Sequence, residues 1–371
     1  MTINIQSMPA GQALACLREG WAAQASGDLT ASWMLHGRPG VGKTDIVDRL
    51  AREKEARLVD LRLTTIEPQD LRGLPYYDHA AGKTVWYRPE DLPDDDRPTI
   101  LFLDELTAAP PNLQPVVYGL LQERRVGPHR IPDTVFIVAA GNAVEDGAVA
   151  YDLGTALSDR LIHLRIEASA GDWIENYAIP NALDPAVIAF IRTRPDLLET
   201  TEAALGAGET VAATPRSWER VSQILSGVAD PRARAAMVEG TLGAAVAAEF
   251  EIVASDIAAS LAVDDMLDAP PGRRDALYPT SLHGLHGLIY GLSARLDADT
   301  AGAAVAILAG IEGLAARRDD EALRVLPLAE LTTHGFEILI RRGLDLGLGE
   351  VLLAQPEMRH HMEARDGRGA A

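Results

Sequence analysis

The chain has little with which to cross-link, span a membrane or bind by positive charge. Cys16 is the only cysteine in 371 residues, so no intrachain disulfide can form, and the count fits a reducing compartment. On an apolar helix face, Cys16 reads as a small core residue. Basic residues are outnumbered: 34 Lys and Arg against 54 Asp and Glu give a formal charge of −20. Such an acidic surface repels phosphate backbones and weighs against a general nucleic-acid binder, though not against one basic channel inside an acidic assembly. No basic segment followed by an apolar run opens the sequence, which predicts no signal peptide. The apolar stretch Ala301–Ile311 is too short to span a bilayer, and Ala276–Ala294 is too polar and carries Pro279. No His or Cys set has metal-ligand spacing. His360-His361 lacks acidic or thiol partners, and His283 and His286 fall in a Gly/Leu-rich helical stretch as packing or capping residues. No repeat of solenoid period is present. Together these absences predict a soluble cytoplasmic protein without membrane insertion.

What is present alternates between strand and helix in the first half. Ala10–Gln24 has helical spacing (Leu14, Leu17, Trp21), and Trp33–Leu35 reads as a buried strand that runs into glycines. Asp45–Lys54 is helical, Leu58–Leu63 a strand, and Thr99–Leu103 an apolar strand ending in Asp104-Glu105. Leu113–Gln122 is helical, and Val135–Ala140 and Leu161–Ile166 are further strands. Between Glu67 and Leu92, prolines and glycines punctuate the chain, and Leu74–Tyr77 with Thr84–Tyr87 predicts a hairpin around a polar turn. Asp94–Asp96 reads as a solvated loop. The alternation argues for a parallel sheet covered by helices. After Ala168 no strand pattern recurs. Pro185–Arg192, Ser217–Leu225, Ala233–Ala254, Ala301–Ala316 and Phe336–Leu344 are Ala- and Leu-rich and helical, with breaks at Asp268–Arg273 and Asp319–Asp320. Glu363–Ala371 reads as frayed.

One segment carries chemistry outright. Gly37-Arg38-Pro39-Gly40-Val41-Gly42-Lys43-Thr44 satisfies G-x-x-x-x-G-K-[ST] between a strand and a helix. Glycines let consecutive backbone N–H groups turn inward around phosphate oxygens, and the helix that follows aims its positive end at the same charge. Lys43 would reach the β and γ phosphates of a nucleoside triphosphate, and the Thr44 hydroxyl would take a place on Mg²⁺. A phosphate loop of this kind needs a carboxylate on a neighbouring strand. Asp104 emerges at a strand's C-terminal end, where open α/β sheets bind ligands, and would hold Mg²⁺ through water. Glu105 would orient and deprotonate an attacking water, which favours hydrolysis over transfer to a small acceptor. The strand Phe136–Ala140 ends in Gly141-Asn142, where a polar side chain can position that water. Asp159-Arg160 precedes the last strand. Thr214-Pro215-Arg216 opens a helix, with Thr214 as N-cap and Pro215 at the first helical position.

The order of these features resembles the AAA+ ATPases and, within them, the MoxR family with its helix-2 insert. The resemblance covers Trp33 to Leu225. Beyond the phosphate loop, Thr65–Gly73 is similar to the segment leading to an Asp-x-x-Gly. Leu103-Asp104-Glu105-Leu106, Ala109-Pro110-Pro111, Gln114 and Leu120–Glu123 are similar to the Walker B block and the helix after it. Ala140-Gly141-Asn142, Gly147 and Leu157–Leu161 resemble sensor 1 and the Asp-Arg-Phe block, and Thr214-Pro215-Arg216 resembles the Ser-Pro-Arg of sensor 2. Thr107 and Ala108 stand where the family has Asn-Arg, Ala143 where it prefers Pro, and Leu161 where it has Phe, which marks a divergent branch. Arg124 and Arg125 are the nearby arginines that would take over the missing one's contact.

The resemblance implies an α/β P-loop core over 1–168 and an all-α lid over 169–228; residues 229–371 lie beyond it and read from their pattern as an all-α C-terminal region. It implies ATP and ADP as nucleotides with Mg²⁺, Arg160 acting on ATP bound by the adjacent subunit, and Arg216 reaching the γ-phosphate from the lid. It implies a homo-oligomeric ring, a hexamer, that remodels or activates a client protein complex, with a von Willebrand factor A domain partner. The hairpin of residues 74–87 would be the insert facing the ring's pore and the client. Two other readings use the same nucleotide site: a DNA-acting ring motor, which the charge disfavours, and a nucleotide-gated scaffold with slow turnover.

Overall fold

The computed structural model describes residues 4–142, 157–260 and 263–369. The chain divides into two compact units, Met1–Ser169 and Ala170–Ala371.

The first unit is built on a six-stranded sheet: β1 (Ser7–Met8), β2 (Ser32–His36), β3 (Arg57–Arg62), β6 (Thr99–Asp104), β9 (Val135–Gly141) and β10 (Leu161–Ile166). The spatial order is β1-β10-β2-β9-β6-β3, and every pairing is parallel. Parallel strands need covering on both faces, which is why β2, β6 and β9 are buried throughout and read as near-continuous apolar runs. Alternate residues of each strand feed two cores. Met34, Leu101, Leu103, Ile137 and Ala139 pack with α4 (Gln114–Glu123) through Val117, Leu120 and Leu121. Leu35, Ile100, Phe102, Phe136 and Val138 pack with α1 (Ala10–Ala25) and α2 (Lys43–Glu53) through Leu14, Leu17, Ile46, Val47 and Leu50. Because the strands run the same way, the residues that follow β2, β3, β6 and β9 all lie along one edge of the sheet, its carboxyl edge.

The expected hairpin forms as β4 (Pro75–Asp78) and β5 (Lys83–Trp86). The Asp78 carboxylate accepts the Ala80 and Ala81 N–H groups, closing the turn at 3.1 and 3.0 Å. Its root needs glycine: Gly73 has φ +83°, and a Cβ there would lie 1.8 Å from the Tyr87 carbonyl oxygen. Leu74, Tyr77 and Tyr87 are exposed, and Tyr76 stacks on Tyr87 at 4.4 Å. The proline-punctuated segment before it hides a short helix, α3 (Pro68–Arg72). Pro68 opens that helix instead of breaking it, with Glu67 and Asp70 forming a reciprocal capping box. A second small hairpin, β7 (Arg125–Val126) with β8 (His129–Arg130), and the edge strand β1 are too short to show in the sequence pattern.

The second unit is helical, and among the described residues no strand follows Ile166. Two expected helices are each divided. Ala233–Ala254 becomes Pro231–Leu242 and Ala244–Ser260, because Gly243 takes φ +84° and ends the first helix. Ala301–Ala316 becomes Ala301–Glu312 and Leu314–Arg318, divided at Gly313. The expected frayed end is instead helical over Pro356–Gly369. Phe190, Trp218 and Phe250, from three different helices, meet with ring centroids 5.3–5.5 Å apart, and the Trp218 indole N–H donates to the Leu197 carbonyl at 2.9 Å. His286 lies in the buried helix Leu282–Ala294, against Tyr290 and His334.

Candidate nucleotide site

The phosphate loop leaves β2 at Gly37 and enters α2 at Lys43. Gly40 and Gly42 have φ +81° and +101°, conformations that an L side chain rarely takes. Gly37 is fixed for another reason: a Cβ there would lie 2.8 Å from the Ile166 carbonyl oxygen of β10. Arg38 and Gly40 are half-buried, Pro39 is exposed and Val41 is buried, so the loop is anchored through Val41. The Lys43 ammonium is turned into its own loop. It donates to the Gly37 carbonyl at 2.5 Å, the Arg38 carbonyl at 3.1 Å and the Asn142 Oδ1 at 2.8 Å. The structure thus brings the loop lysine and Asn142 together. Thr44 is half-buried in the first turn of α2.

Asp104 ends β6, buried and 8% exposed. One carboxylate oxygen accepts the Glu105 N–H at 2.9 Å, and the other lies 3.9 Å from Arg62 Nη2 of β3. Burial first, and then the Asp104 charge, push the Asp60 carboxyl above its ordinary value. Glu105 adopts φ 59°, unusual outside glycine. Such a conformation costs on the order of 1–3 kcal/mol and tends to mark functional positions. Its carboxylate accepts a hydrogen bond from the Thr64 hydroxyl, which stands just past β3.

Asn142 follows β9. Its backbone N–H donates to Thr107 Oγ1 at 3.1 Å. Thr107 is buried beneath Gly141, where a Cβ would come within 2.6 Å of that hydroxyl. One of the departures from the family pattern therefore has a structural use here. Of the arginines able to replace the missing one, Arg124 is committed to loop carbonyls, donating to Pro132 at 2.8 Å and to Val135, and Arg125 donates to Gly127 at 3.1 Å. Ala143 and Gly147 lie outside the described residues.

Arg160 is exposed and precedes β10. It therefore stands at the amino edge of the sheet, opposite the phosphate loop. Arg216 belongs to the second unit, exposed in the first turn of the helix Pro215–Gly227, with Thr214 capping as expected through Ser217 N–H at 3.2 Å.

Thr64, Thr107 and the pair His36 and His163 have functional-site contacts that motif reading did not find. His36, buried at the end of β2, bonds His163 at 2.8 Å, and His163 bonds the Ser158 carbonyl at 2.9 Å. Burial above all, then the charges of His163, Lys43 and Arg165, pushes the His36 imidazole down to about 3. Burial likewise pushes His286 down to about 4, aided by His334, Arg192 and His283. In the unfolded chain both take up protons near pH 6.5, and in the folded chain they refuse them. Stability is therefore full above about pH 6.5 and is lost as pH falls toward 4. We expect His286→Phe to lose on the order of 2 kcal/mol less than the parent between pH 7 and pH 4.5, read from urea unfolding midpoints. An unchanged pH dependence would refute the assignment.

The donor set suits Mg²⁺. A buried carboxylate and a threonine hydroxyl are hard oxygen ligands, and Mg²⁺ takes only one or two of these from a protein beside phosphate and water. Among the described residues no group of three or more His, Cys, Asp or Glu is placed to hold a metal by itself.

Residues 32–163, from β2 into β10, match the model of the ATPase family associated with various cellular activities (AAA). Solved structures similar to the chain include the following three. A candidate ATPase from Cytophaga hutchinsonii is 23% identical over 40% of this chain and 45% of its own length, with a TM-score of 0.29. A RuvB point mutant from Thermotoga maritima is 16% identical over 90% of this chain and 91% of its own, with a TM-score of 0.36. NtrX from Brucella abortus is 16% identical over 63% of this chain and 51% of its own, with a TM-score of 0.31. No curated protein matches the chain. No helix among the described residues is long and apolar enough to cross a membrane.

Proposed function

We propose that this chain is a MoxR-like AAA+ ATPase of the cytoplasm that hydrolyses ATP in a ring oligomer, a hexamer, to remodel or activate a client protein complex. The observation that carries the reading is the grouping along one sheet edge of the Lys43 loop, the Asn142 amide 2.8 Å from the Lys43 ammonium, and the Asp104-Glu105 pair. Three polar functions that hydrolysis requires (phosphate capture, metal holding and water activation) follow three strands of one parallel sheet.

In this reading the backbone of Gly37, Arg38, Pro39, Gly40, Val41 and Gly42 cradles the phosphates, and Lys43 exchanges its loop carbonyls for phosphate oxygens. Thr44 and Asp104 would hold Mg²⁺, which would neutralise charge on those oxygens. Glu105, once its carboxylate leaves the Thr64 hydroxyl, takes a proton from the attacking water, and Asn142 orients that water. Arg160 acts in trans. The five residues of β2 separate its edge of the sheet from the phosphate loop. At about 3.3 Å per residue that is roughly 15 Å, so its target lies in a neighbour. An arginine given across an interface makes turnover depend on assembly. Arg216 serves as the lid arginine. As a cation at the positive end of a helix it gains nothing locally, which supports a role toward an anion.

The parts are a core at 1–168, a lid at 169–228 and a C-terminal helical region at 229–371 that packs on the ring or binds a partner, a von Willebrand factor A domain among the candidates. The exposed Leu74, Tyr77 and Tyr87 of the hairpin suit contact with a client polypeptide. The charge of −20 disfavours a nucleic-acid substrate. Turnover per subunit should rise as dilute protein is concentrated into rings, and Arg160→Ala should abolish that rise while leaving ATP affinity of the dilute subunit unchanged. Turnover independent of concentration, with Arg160→Ala fully active, would sink the ring reading.

A further inference from the structure

Two parts of the site stand at opposite edges of the sheet, and the His36–His163 pair lies between them. His36 is the last residue of β2, and the next carbonyl, that of Gly37, holds the Lys43 ammonium. His163 is in β10, just after the turn that carries Arg160. The register places Met34 opposite His163 and His36 opposite Arg165, so both imidazoles stand on one face of the sheet. The rings are nearly coplanar, with centroids 5.1 Å apart and an angle of 14°, so they meet edge to edge through the bond.

The proton positions follow from the last acceptor. The Ser158 carbonyl can only accept, so His163 carries its proton on Nε2. His163 Nδ1 is then an acceptor, and His36 must donate from Nε2. With one proton on each ring, the chain of donors runs one way, from the phosphate-loop strand to the Ser158 carbonyl. The Ser158–Arg160 turn is otherwise closed by the Arg160 N–H on the Leu157 carbonyl at 3.0 Å.

We propose that the His36–His163 pair is a positioning element: it ties the phosphate-loop strand to the Ser158–Arg160 turn and sets where Arg160 is presented to the neighbouring subunit. The proposal rests on the reading of Arg160 as the arginine that acts in trans. The pair's effect runs through the backbone at Ser158, so the hydrogen bonds matter and ring packing alone is insufficient.

Two substitutions separate bonding from packing. His163→Phe keeps a planar ring in the same place and removes both bonds. His163→Gln places an amide N–H where Nε2 stood and keeps the donor to Ser158. In the full-length assembled protein, His163→Phe should lower turnover roughly tenfold with ATP affinity of the dilute subunit held within about twofold, the pattern of a misplaced group. Hydrogen exchange at the Arg160 amide should quicken in the same variant, and His163→Gln should restore most of both. Wild-type turnover and exchange in His163→Phe would overturn the proposal. So would a matching loss of ATP affinity, which would make the pair merely structural, or a His163→Gln no better than His163→Phe. Arg160→Ala measured alongside separates the two claims. If Arg160→Ala keeps full turnover, the arginine reading has failed and the proposal falls with it. If Arg160→Ala loses turnover and His163→Phe does not, the proposal alone falls.

Discussion

Glu105→Gln should bind ATP with affinity within about threefold of the parent and hydrolyse it at least ~100-fold more slowly, the scale of losing a general base. The amide has nearly the volume of the carboxylate and can still meet the Thr64 hydroxyl, but it cannot take a proton from water. The backbone at residue 105 is already set by φ 59° and by its N–H on Asp104, so the substitution leaves the loop's shape alone. Single-turnover measurements with radiolabelled ATP separate binding from cleavage. Normal hydrolysis in this variant would remove Glu105 from the role of base. The same variant, loaded with ATP, should retain a client that the Lys43→Ala protein does not, because the bound state would no longer decay.

Lys43→Ala should weaken ATP binding by about 100-fold or more, the loss expected when charge-assisted bonds to phosphate are removed. The side chain is turned into the loop, where it already spans the Gly37 and Arg38 carbonyls and the Asn142 amide. Its removal also frees Asn142 Oδ1 from that contact, so the residual turnover at saturating ATP should fall too. Titration with a fluorescent ATP analogue reads the affinity. Near-native binding would contradict the phosphate-loop assignment.

Much of this arrangement is legible in the sequence because parallel sheets leave a strong signature. β2, β6 and β9 are buried on both faces, so they appear as apolar runs with motif residues at their ends. The hairpin shows through its alternation and its turn residues. Lost to the sequence are contacts that depend on which strands become neighbours. Thr64 reaches Glu105 because β3 lies beside β6, and His163 reaches His36 because β10 lies beside β2. Neither adjacency follows chain order. Thr107 looks like a gap in the family pattern, yet it accepts the Asn142 N–H from beneath Gly141. Local signals also mislead where one residue has two uses. Pro68 reads as a breaker and serves as the first residue of α3, and Gly243 passes as one small residue in an Ala-rich helix until its positive φ ends that helix.

The central claim is that ATP is cleaved at a site completed by a neighbour. It is tested most directly by mixing Lys43→Ala and Arg160→Ala subunits, each inactive alone. In a head-to-tail ring the Lys43→Ala subunit still offers Arg160 to an intact phosphate loop next door, so random mixing should restore about a quarter of parental turnover. Mixed rings that assemble, as seen by native mass spectrometry, and yet stay inactive would contradict the account.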